Sequence, residues 1–279
     1  MITVLDALRE GERRLADAPD SRLDAEYLLC SVLQMKRLDM LIDKKRRLTG
    51  EQEAEYERLL ARRESREPLQ YILGSQSFMG FSFRTDPRAL IPRFDTEALC
   101  QEALSHIHPG NRILDLCTGS GCLAVAIKKL CPGAEVTASD ISGEALSLAM
   151  ENAAALQADV RFLQGDLFSP ARGNTFHVIV SNPPYIPDAL RGQLQREVER
   201  EPALALFGGK DGLDFYRRIA KEAPEFLEPR GYLCLETGDG EAEAVSQMLK
   251  EDFRDIRVIC DLNGLPRVVS ARRKEGSAL

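Results

Sequence analysis

The chain has 279 residues, of which 44% are hydrophobic and 29% charged, as in a folded protein rather than a disordered or fibrous one. At about 150 residues per domain, this length predicts nearly two domains. The sequence has no run of about 18 apolar residues that could span a membrane. Asp6, Arg9 and Glu10 lie where a signal peptide would have its apolar region. We therefore expect a cytoplasmic protein with no membrane segment.

The formal net charge is −7 at pH 7, and none of the seven cysteines forms a C-x-x-C pair. An acidic chain lacks the basic face that neutralises phosphates, so we expect no direct nucleic-acid partner. The cysteine spacing is not that of a zinc site, so we expect reduced thiols and no metal.

Residues 1–75 are predicted to form a small helical N-terminal domain. Apolar residues recur there at helical spacing. Two stripes result, one at Leu28, Leu29, Val32 and Leu33 and one at Tyr56, Leu59 and Leu60. Two motifs resemble capping boxes, which satisfy the first free amides of a helix: Ser21-x-x-Asp24 and Thr49-x-x-Gln52.

Residues 76–88 are predicted to be a β-hairpin linker, because Phe81 and Phe83 alternate with polar residues. From residue 89 to 279, strand-like and helical segments alternate. The strand-like segments are Arg112–Cys117, Glu135–Ser139, Val160–Leu163, His177–Val180 and Gly231–Leu235. This alternation predicts an α/β domain whose parallel sheet is covered on both faces, with its ligand beyond the carboxyl ends of the strands.

A glycine-containing turn, Asp115–Gly121, follows the first of these strands. Gly119 and Gly121 allow a tight turn and a close approach of a ligand to the backbone. Asp140 ends the second strand, 19 residues after Gly121, where a carboxylate accepts ribose hydroxyls. Asp166 follows the third strand and is placed to accept from an adenine amino group. Either acid alone could be a helix cap, but with the turn they predict a nucleoside cofactor.

NAD would also fit a glycine turn followed by an acidic strand end. A dehydrogenase needs an acid or base for hydride transfer, and the three histidines are poorly placed for that role. His106 and His108 precede the first strand, and His177 starts an apolar strand. NAD is therefore the less favoured cofactor, and Asp115 adds a carboxylate suited to an amino-bearing ligand.

The fourth strand runs into the sequence Asn182-Pro183-Pro184-Tyr185. Asn182 offers a side-chain carbonyl, and Pro183 offers a backbone carbonyl without a competing N–H. Tyr185 supplies a flat face. Together they predict a slot for a planar group bearing an NH2, whose two hydrogens are held by two acceptors.

An NH2 group of this kind is a poor nucleophile, because its lone pair is delocalised into a carbonyl or a ring. Holding both hydrogens aims the lone pair at an electrophile and raises its reactivity. The sulfonium methyl of S-adenosylmethionine matches both this requirement and the nucleoside site. The pattern therefore predicts a direct methyl transfer.

The glycine turn and Asn-Pro-Pro-Tyr together resemble S-adenosylmethionine-dependent methyltransferases that modify amino groups in planar systems. Further segments are similar to the bacterial release factor glutamine methyltransferases, the HemK or PrmC family, over the whole chain. These segments are Glu67–Gly74, Leu90–Glu97, Glu201–Gly209 and Asp211–Tyr216. The resemblance implies a Rossmann-like methyltransferase sheet and methylation of the N5 amide nitrogen of the glutamine in the Gly-Gly-Gln motif of peptide-chain release factors.

The resemblance also implies roles for individual residues. The cofactor-binding set is Asp115, Cys117, Thr118, Gly119, Ser120, Gly121, Asp140, Asp166, Leu167 and Asn182. The substrate-binding set is Arg93, Asn182, Pro183, Pro184 and Tyr185, of which Asn182, Pro183 and Tyr185 are catalytic. Residues 1–75 carry none of these groups, so we predict that they dock the release factor.

This sequence departs from the family pattern at two positions. Cys117 stands where many members have a glycine, which leaves the local backbone shape open. Phe94 stands where many have a proline, which leaves the rim of the site open. Neither change removes a chemical group that the mechanism uses.

Two alternatives remain. An adenine-N6 or guanine-N2 methyltransferase acting on DNA or RNA would present the same slot to a flipped base, but the acidic charge and the lack of a nucleic-acid module disfavour it. The other alternative is a catalytically silent scaffold, whose methyltransferase fold only binds a partner. Such a protein would be expected to have lost parts of the Asn-Pro-Pro-Tyr motif, which is intact here. We expect a monomer with release factors as its protein partners.

Overall fold

The computed structural model describes residues 1–261 and 263–275. Contacts between residues divide the chain into two units. The first unit contains Met1–Ser75 and Gln195–Arg200, and the second contains Gln76–Leu194 and Glu201–Leu279. No helix within the described ranges is long and apolar enough to cross a membrane.

The first unit consists of five helices around its own apolar core. They are α1 (Val4–Arg14), α2 (Ser21–Leu33), α3 (Arg37–Ile42), α4 (Gly50–Glu64) and α5 (Leu69–Leu73). The core contains both predicted stripes, with Leu28, Leu29, Leu33, Tyr56, Leu59 and Leu60 buried and Val32 packed against them. The capping box at the start of α4 is confirmed, because the Gln52 N–H donates to Thr49 Oγ1 at 3.2 Å and the Thr49 N–H donates to Gln52 Oε1 at 3.0 Å.

The predicted capping box at Ser21 is wrong. The residue that caps α2 is Asp20, and its side chain makes no capping hydrogen bond. Asp24, which should have closed the box, is buried and accepts a hydrogen bond from Arg63 Nε at 2.7 Å. The carboxylate therefore turns into the core to pair with a buried guanidinium, because an unpaired buried cation is more costly than an uncapped helix end.

The second unit begins with the predicted hairpin, formed by β1 (Ser75–Phe78) and β2 (Phe81–Arg84). Its helices are α6 (Asp95–Leu104), α7 (Cys122–Leu130), α8 (Gly143–Ala155), α9 (Asp214–Phe226) and α10 (Ala242–Leu249). Its remaining strands are β3 (Arg112–Leu116), β4 (Glu135–Asp140), β5 (Val160–Gln164), β6 (Phe176–Ser181), β7 (Leu227–Glu236), β8 (Phe253–Cys260) and β9 (Pro266–Arg273).

A seven-stranded sheet in the order β5-β4-β3-β6-β7-β9-β8 organises this unit. The first five strands in that order are parallel, as predicted, whereas β9 pairs antiparallel with both β7 and β8. Two apolar clusters cover the faces, one with α6, α7 and α8 and the other with α9 and α10. The antiparallel pair was not predicted, because β8 is largely exposed and lacks the continuous apolar run of a buried strand.

Candidate active site

The chain runs outward from β3 in both directions, with β4 on one side and β6 on the other. Such a switch point opens a crevice at the carboxyl edge of a parallel sheet. Here that edge holds a cleft of about 210 Å³, which is called the larger cleft to distinguish it from a small cavity beside it. Its lining includes Leu90, Cys117, Gly119, Ser139, Asp140, Asp166, Leu167, Asn182, Pro184, Phe215 and Arg218.

The turn after β3 explains the two glycines. Gly121 has φ +78°, and a Cβ there would lie 2.8 Å from the Cβ of Ala149 in α8. Gly119 has φ +54°, but a Cβ there would meet no atom within 4 Å. Gly119 lines the larger cleft, so its missing side chain leaves backbone open to a ligand.

Many family members have a glycine where this chain has Cys117. The backbone at Cys117 nevertheless takes the left-handed conformation that glycine favours. Its φ is +58°, in the left-handed region, where a side chain costs on the order of 1 kcal/mol or more. Burial raises the pKa of its thiol, so the side chain is a neutral wall of the cleft.

Asp140, at the end of β4, has the environment expected of a ribose acceptor. Its Oδ2 accepts from the Gly119 N–H at 2.8 Å and its Oδ1 accepts from the Ser142 N–H at 2.9 Å. Burial raises its pKa, while these backbone N–H groups lower it. Each carboxylate oxygen has a further lone pair, and beside it the buried Ser139 hydroxyl has no partner among the described residues. The residues present therefore fit a polyhydroxyl group.

Asp166 and Leu167, just after β5, line the larger cleft. Asp166 Oδ2 accepts from Arg218 Nη2 at 2.6 Å, which holds the carboxylate in place. A carboxylate paired through one oxygen retains lone pairs for an amino group. Leu167 is buried with φ +44°, and Phe215 of α9 adds a flat apolar surface. Phe215 and Arg218 were not predicted.

A small cavity of about 40 Å³ shares Leu90, Cys117, Gly119 and Asn182 with the larger cleft. Its other lining residues are Ile91, Pro92, Arg93, Thr96, Asp115, Thr118, Ser120, Cys122 and Leu123. Asp115 is buried and accepts from Thr118 Oγ1 at 2.5 Å. Burial raises the pKa of Asp115 to about 7, against the hydrogen bond from Thr118. The floor of the small cavity is therefore a carboxyl group that loses its proton near neutral pH.

Asn182 is the polar side chain that joins the two spaces. Its Nδ2 donates to Thr96 Oγ1 at 3.2 Å, and no hydrogen bond to its Oδ1 is found within residues 1–261 and 263–275. Pro184 lines the larger cleft, whereas Pro183 and Tyr185 line neither space. Tyr185 is half-buried and packs against the cluster under α9 and β7. The structure thus brings Asn182 and Pro184 to the cleft, whereas Pro183 and Tyr185 lie outside its lining.

Arg93 lines the small cavity, but its guanidinium is paired with Glu201. The Glu201 carboxylate is buried and also accepts from the Ile91 N–H at 2.9 Å. Burial raises the pKa of Glu201 and Arg93 opposes that shift. The pair fixes the loop before α6, so Arg93 shapes the wall of the cavity. Phe94 is 69% exposed, so it does not narrow the site.

Asn152 supports the glycine turn and was not predicted. Its Nδ2 donates to the Ser120 carbonyl at 2.9 Å and to the Arg84 carbonyl at 3.2 Å, while its Oδ1 accepts from the Arg84 N–H at 2.7 Å. It is buried on the face of α8 that also carries Leu148 and Ala149. An amide on an otherwise apolar helix face was the available sequence signal.

Comparisons with known proteins agree with this geometry. Residues 6–74 match the family model of the PrmC N-terminal domain, and residues 94–197 match the methyltransferase small domain. A methyltransferase from Pyrococcus furiosus superposes with a TM-score of 0.55 at 20% identity, over 71% of this chain and 91% of that chain. The hMettl16 catalytic domain superposes with a TM-score of 0.58 at 14% identity, over 79% of this chain and 84% of that chain. Both likenesses concern the fold.

The sequence relatives decide the family. The release factor glutamine methyltransferase of Geobacter sulfurreducens is 46% identical over 91% of this chain and 90% of its own length. The release factor glutamine methyltransferase of Koribacter versatilis is 42% identical over 92% of this chain and 93% of its own length. With the methyltransferase cleft described above, these matches show that the chain belongs to the release factor glutamine methyltransferase family and is an S-adenosylmethionine-dependent enzyme.

Proposed function

We propose that this protein methylates the N5 side-chain amide nitrogen of the glutamine in the Gly-Gly-Gln motif of peptide-chain release factors by direct displacement. Bound in the cleft, S-adenosylmethionine would supply an electrophilic methyl group from its sulfonium, which would become a thioether, and the glutamine nitrogen that takes this methyl would release one amide proton to the solvent with the product. The protein's own groups bind, orient and exclude solvent, so no covalent enzyme intermediate is needed.

The larger cleft holds the nucleoside in this proposal. Asp140 accepts the ribose hydroxyls with the lone pairs that the turn leaves free. Asp166 accepts the adenine amino group, and Leu167 contacts the ring. The open backbone of the turn borders the part of the cofactor that lies beyond the nucleoside. Asp115 faces the amino group of that part. The turn residues concerned are Cys117, Thr118, Gly119, Ser120 and Gly121.

The observation that carries the proposal is the position of Asn182. It lines both the larger cleft and the small cavity, and its Nδ2 is held by Thr96. Its Oδ1 is thereby presented as the acceptor for one N–H of the glutamine amide, while the Pro183 carbonyl accepts the other. Tyr185 supports the plane of the amide, and Arg93 with Pro184 shapes its entrance.

Mass spectrometry of release factor incubated with this protein and S-adenosylmethionine tests the proposal. We expect one methyl group on the peptide that contains the loop glutamine, and none on release factor with that glutamine replaced by glutamate. Labelled methyl groups appearing in DNA or RNA instead would contradict it and favour the nucleic-acid alternative.

The first unit is proposed to dock the body of the release factor. It has its own core and carries none of the residues that line the cleft. It also exposes large apolar side chains, namely Leu23, Tyr27, Leu38 and Ile42. A chain that begins at Gln76, shown to be folded by its cofactor affinity, should methylate intact release factor poorly but a short loop peptide as the full chain does. Equal rates on intact release factor would exclude docking.

The remaining assignments concern partners and place of action. Release factors act with ribosomes, so we propose that the enzyme works in the cytoplasm. The acidic net charge supports a protein substrate without direct nucleic-acid contact. A monomer is proposed because each chain carries a complete set of cleft residues, and sedimentation with and without substrate tests this.

A further inference from the structure

Two segments outside the central sheet form part of the wall of the larger cleft. They are the 88–93 loop, which precedes α6, and the 201–205 turn, and neither belongs to a strand. Their lining residues are Arg88, Ala89, Leu90, Pro202, Leu204 and Ala205. Strand pairing fixes the strand ends at the floor of the cleft, so these two segments depend on side-chain contacts for their position.

Glu201 joins the two segments through both of its carboxylate oxygens. Its Oε2 accepts from the Ile91 N–H at 2.9 Å, and its Oε1 accepts from Arg93 Nη2. The Glu201 side chain is 1% exposed, whereas that of Arg93 is 36% exposed. A buried carboxylate is costly unless hydrogen bonds and an opposite charge compensate it. Here the 88–93 loop supplies both, so Glu201 holds its own segment against that loop.

The far end of each segment is held by other contacts. Arg88 donates to the Glu151 carboxylate of α8 at 2.7 and 3.0 Å, which ties the start of the 88–93 loop to that helix. The chain just after the 201–205 turn is paired with Ile186, whose N–H donates to the Leu206 carbonyl at 2.9 Å. Glu201 is therefore the contact that joins the near ends of the two segments.

The 201–205 turn carries an apolar side chain that is incompletely covered. Leu204 lines the larger cleft but is 55% exposed. An apolar side chain in a concave site leaves water when a ligand fills that site, and this favours binding in proportion to the area covered. The nucleoside proposed for the cleft presents the apolar faces of its base. Leu204 is therefore placed to contact the bound cofactor.

We infer that Glu201 is a positioning residue for cofactor binding, which joins the 201–205 turn to the 88–93 loop and so holds Leu204 against the cofactor and slows its release. Glu201 does not line the cleft and acts through these segments. The inference rests on the proposed placement of the cofactor in the larger cleft and not on the identity of the methyl acceptor. Asp140 remains in place without the joint, so its loss should weaken binding without abolishing it.

Cofactor binding to full-length Glu201→Gln tests the joint. This variant has one acceptor oxygen for two donors, the Ile91 N–H and Arg93. We expect its dissociation constant for S-adenosylmethionine, measured by calorimetry, to rise about 10-fold, the scale of one lost charged hydrogen bond. The rise should come from faster dissociation, measured by stopped-flow displacement. An unchanged dissociation constant would overturn the inference.

Asp24→Asn is the matched control for a loss of stability alone. Asp24 is also a buried carboxylate paired with an arginine, Arg63, at 2.7 Å, but it lies in the first unit. Its variant should lower the melting temperature as Glu201→Gln does and bind the cofactor as the wild type does. Equal weakening of cofactor binding in both variants would show a general effect of destabilisation and overturn the positioning role.

Leu204→Ala tests the contact through which Glu201 is proposed to act. It should raise the dissociation constant about 5-fold, whereas Leu190→Ala should not, because Leu190 is 41% exposed but lies outside the cleft lining. In the Glu201→Gln background, Leu204→Ala should add little, since the contact is already lost. Fully additive effects would overturn the action of Glu201 through Leu204.

A readout in the cofactor-free protein examines the joint directly. The Ile91 amide should exchange slowly with solvent in the wild type and faster in Glu201→Ala, because Glu201 is its acceptor. Unchanged protection of this amide would overturn the joint.

Asp140→Ala separates this inference from the proposed function. Wild-type cofactor affinity in Asp140→Ala would remove the cofactor from the larger cleft and overturn both. Weakened affinity in Asp140→Ala together with wild-type affinity in Glu201→Gln would overturn the inference alone. If the wild type methylates no release factor, the proposed acceptor is wrong, and the cofactor affinities of Glu201→Gln and Leu204→Ala still decide the inference.

Discussion

The larger cleft and the small cavity meet at Asn182 but are built differently. The larger cleft takes its polar groups from residues at or just beyond strand ends, such as Asp140 at the end of β4 and Asp166 in the turn after β5. The small cavity depends on pairs from distant segments, such as Thr96 with Asn182 and Arg93 with Glu201. Backbone N–H groups hold Asp140 in the first set, whereas side-chain pairing positions the second set.

This difference assigns separate energetic roles to the two spaces. Backbone N–H groups hold Asp140, so the larger cleft is preformed for binding. The orientation of Asn182 instead depends on one side-chain hydrogen bond to Thr96. Loss of Asp140 should therefore appear in cofactor affinity, and loss of the Asn182 acceptor in turnover.

The largest expected effect separates turnover from binding. Asn182→Ala removes the acceptor for the substrate amide, and lost alignment should lower kcat about 100-fold or more. Asn182→Asp should also be impaired, because its charge strengthens a ground-state attraction to the sulfonium that the reaction must lose. Calorimetry should still detect cofactor binding to both variants. Asn174→Ala, at the opposite edge of the sheet, is the control, and near-normal methylation by Asn182→Ala would refute the acceptor role.

The complementary change is Asp140→Ala. It leaves the ribose hydroxyls without their acceptor, which should weaken cofactor binding by about 1–3 kcal/mol. At saturating cofactor, kcat should recover much of its wild-type value, because Asn182 and its hydrogen bond to Thr96 are intact. Titration calorimetry measures the affinity, and an unchanged dissociation constant would remove Asp140 from the site.

Two glycine variants separate folding from binding within the turn. Gly121→Ala combines positive φ with a Cβ at 2.8 Å from Ala149, so it should lower the free energy of unfolding by about 1–3 kcal/mol. Gly119→Ala has open space around its Cβ and should lose less stability but more cofactor affinity. Gly50→Ala is the control, since that glycine has no steric conflict. Equal unfolding of Gly119→Ala and Gly121→Ala would show that strain alone decides stability here.

A further prediction concerns Asp115 and the pH dependence of stability. Its pKa is about 7 in the folded chain against an ordinary 3.8, so between these values the folded state holds a proton that the unfolded state has released. Its contribution to stability is thus present at acid pH and lost as the pH rises to 7. The melting temperature of Asp115→Asn should therefore increase relative to wild type between pH 5 and 8. A constant difference would mean that Asp115 ionises normally.

Much of the larger cleft follows from local sequence. The glycine turn, Asp140 and Asp166 were predicted because strand ends and turns have backbone requirements that single residues satisfy. The same reasoning failed at Ser21, where Asp24 pairs with Arg63 instead of closing the predicted cap. Asn152 was missed for a related reason, because its partner Ser120 lies 32 positions away along the chain.

The sequence by itself determined the parallel α/β order, the helical first unit, the glycine turn and the Asn-Pro-Pro-Tyr motif, because periodicity and turn chemistry act over a few residues. Only the tertiary structure decided what holds Asn182. Its partner Thr96 is 86 residues away along the chain. Such pairings depend on how strands and helices align in space, and that alignment is a property of the packed sheet rather than of any local segment.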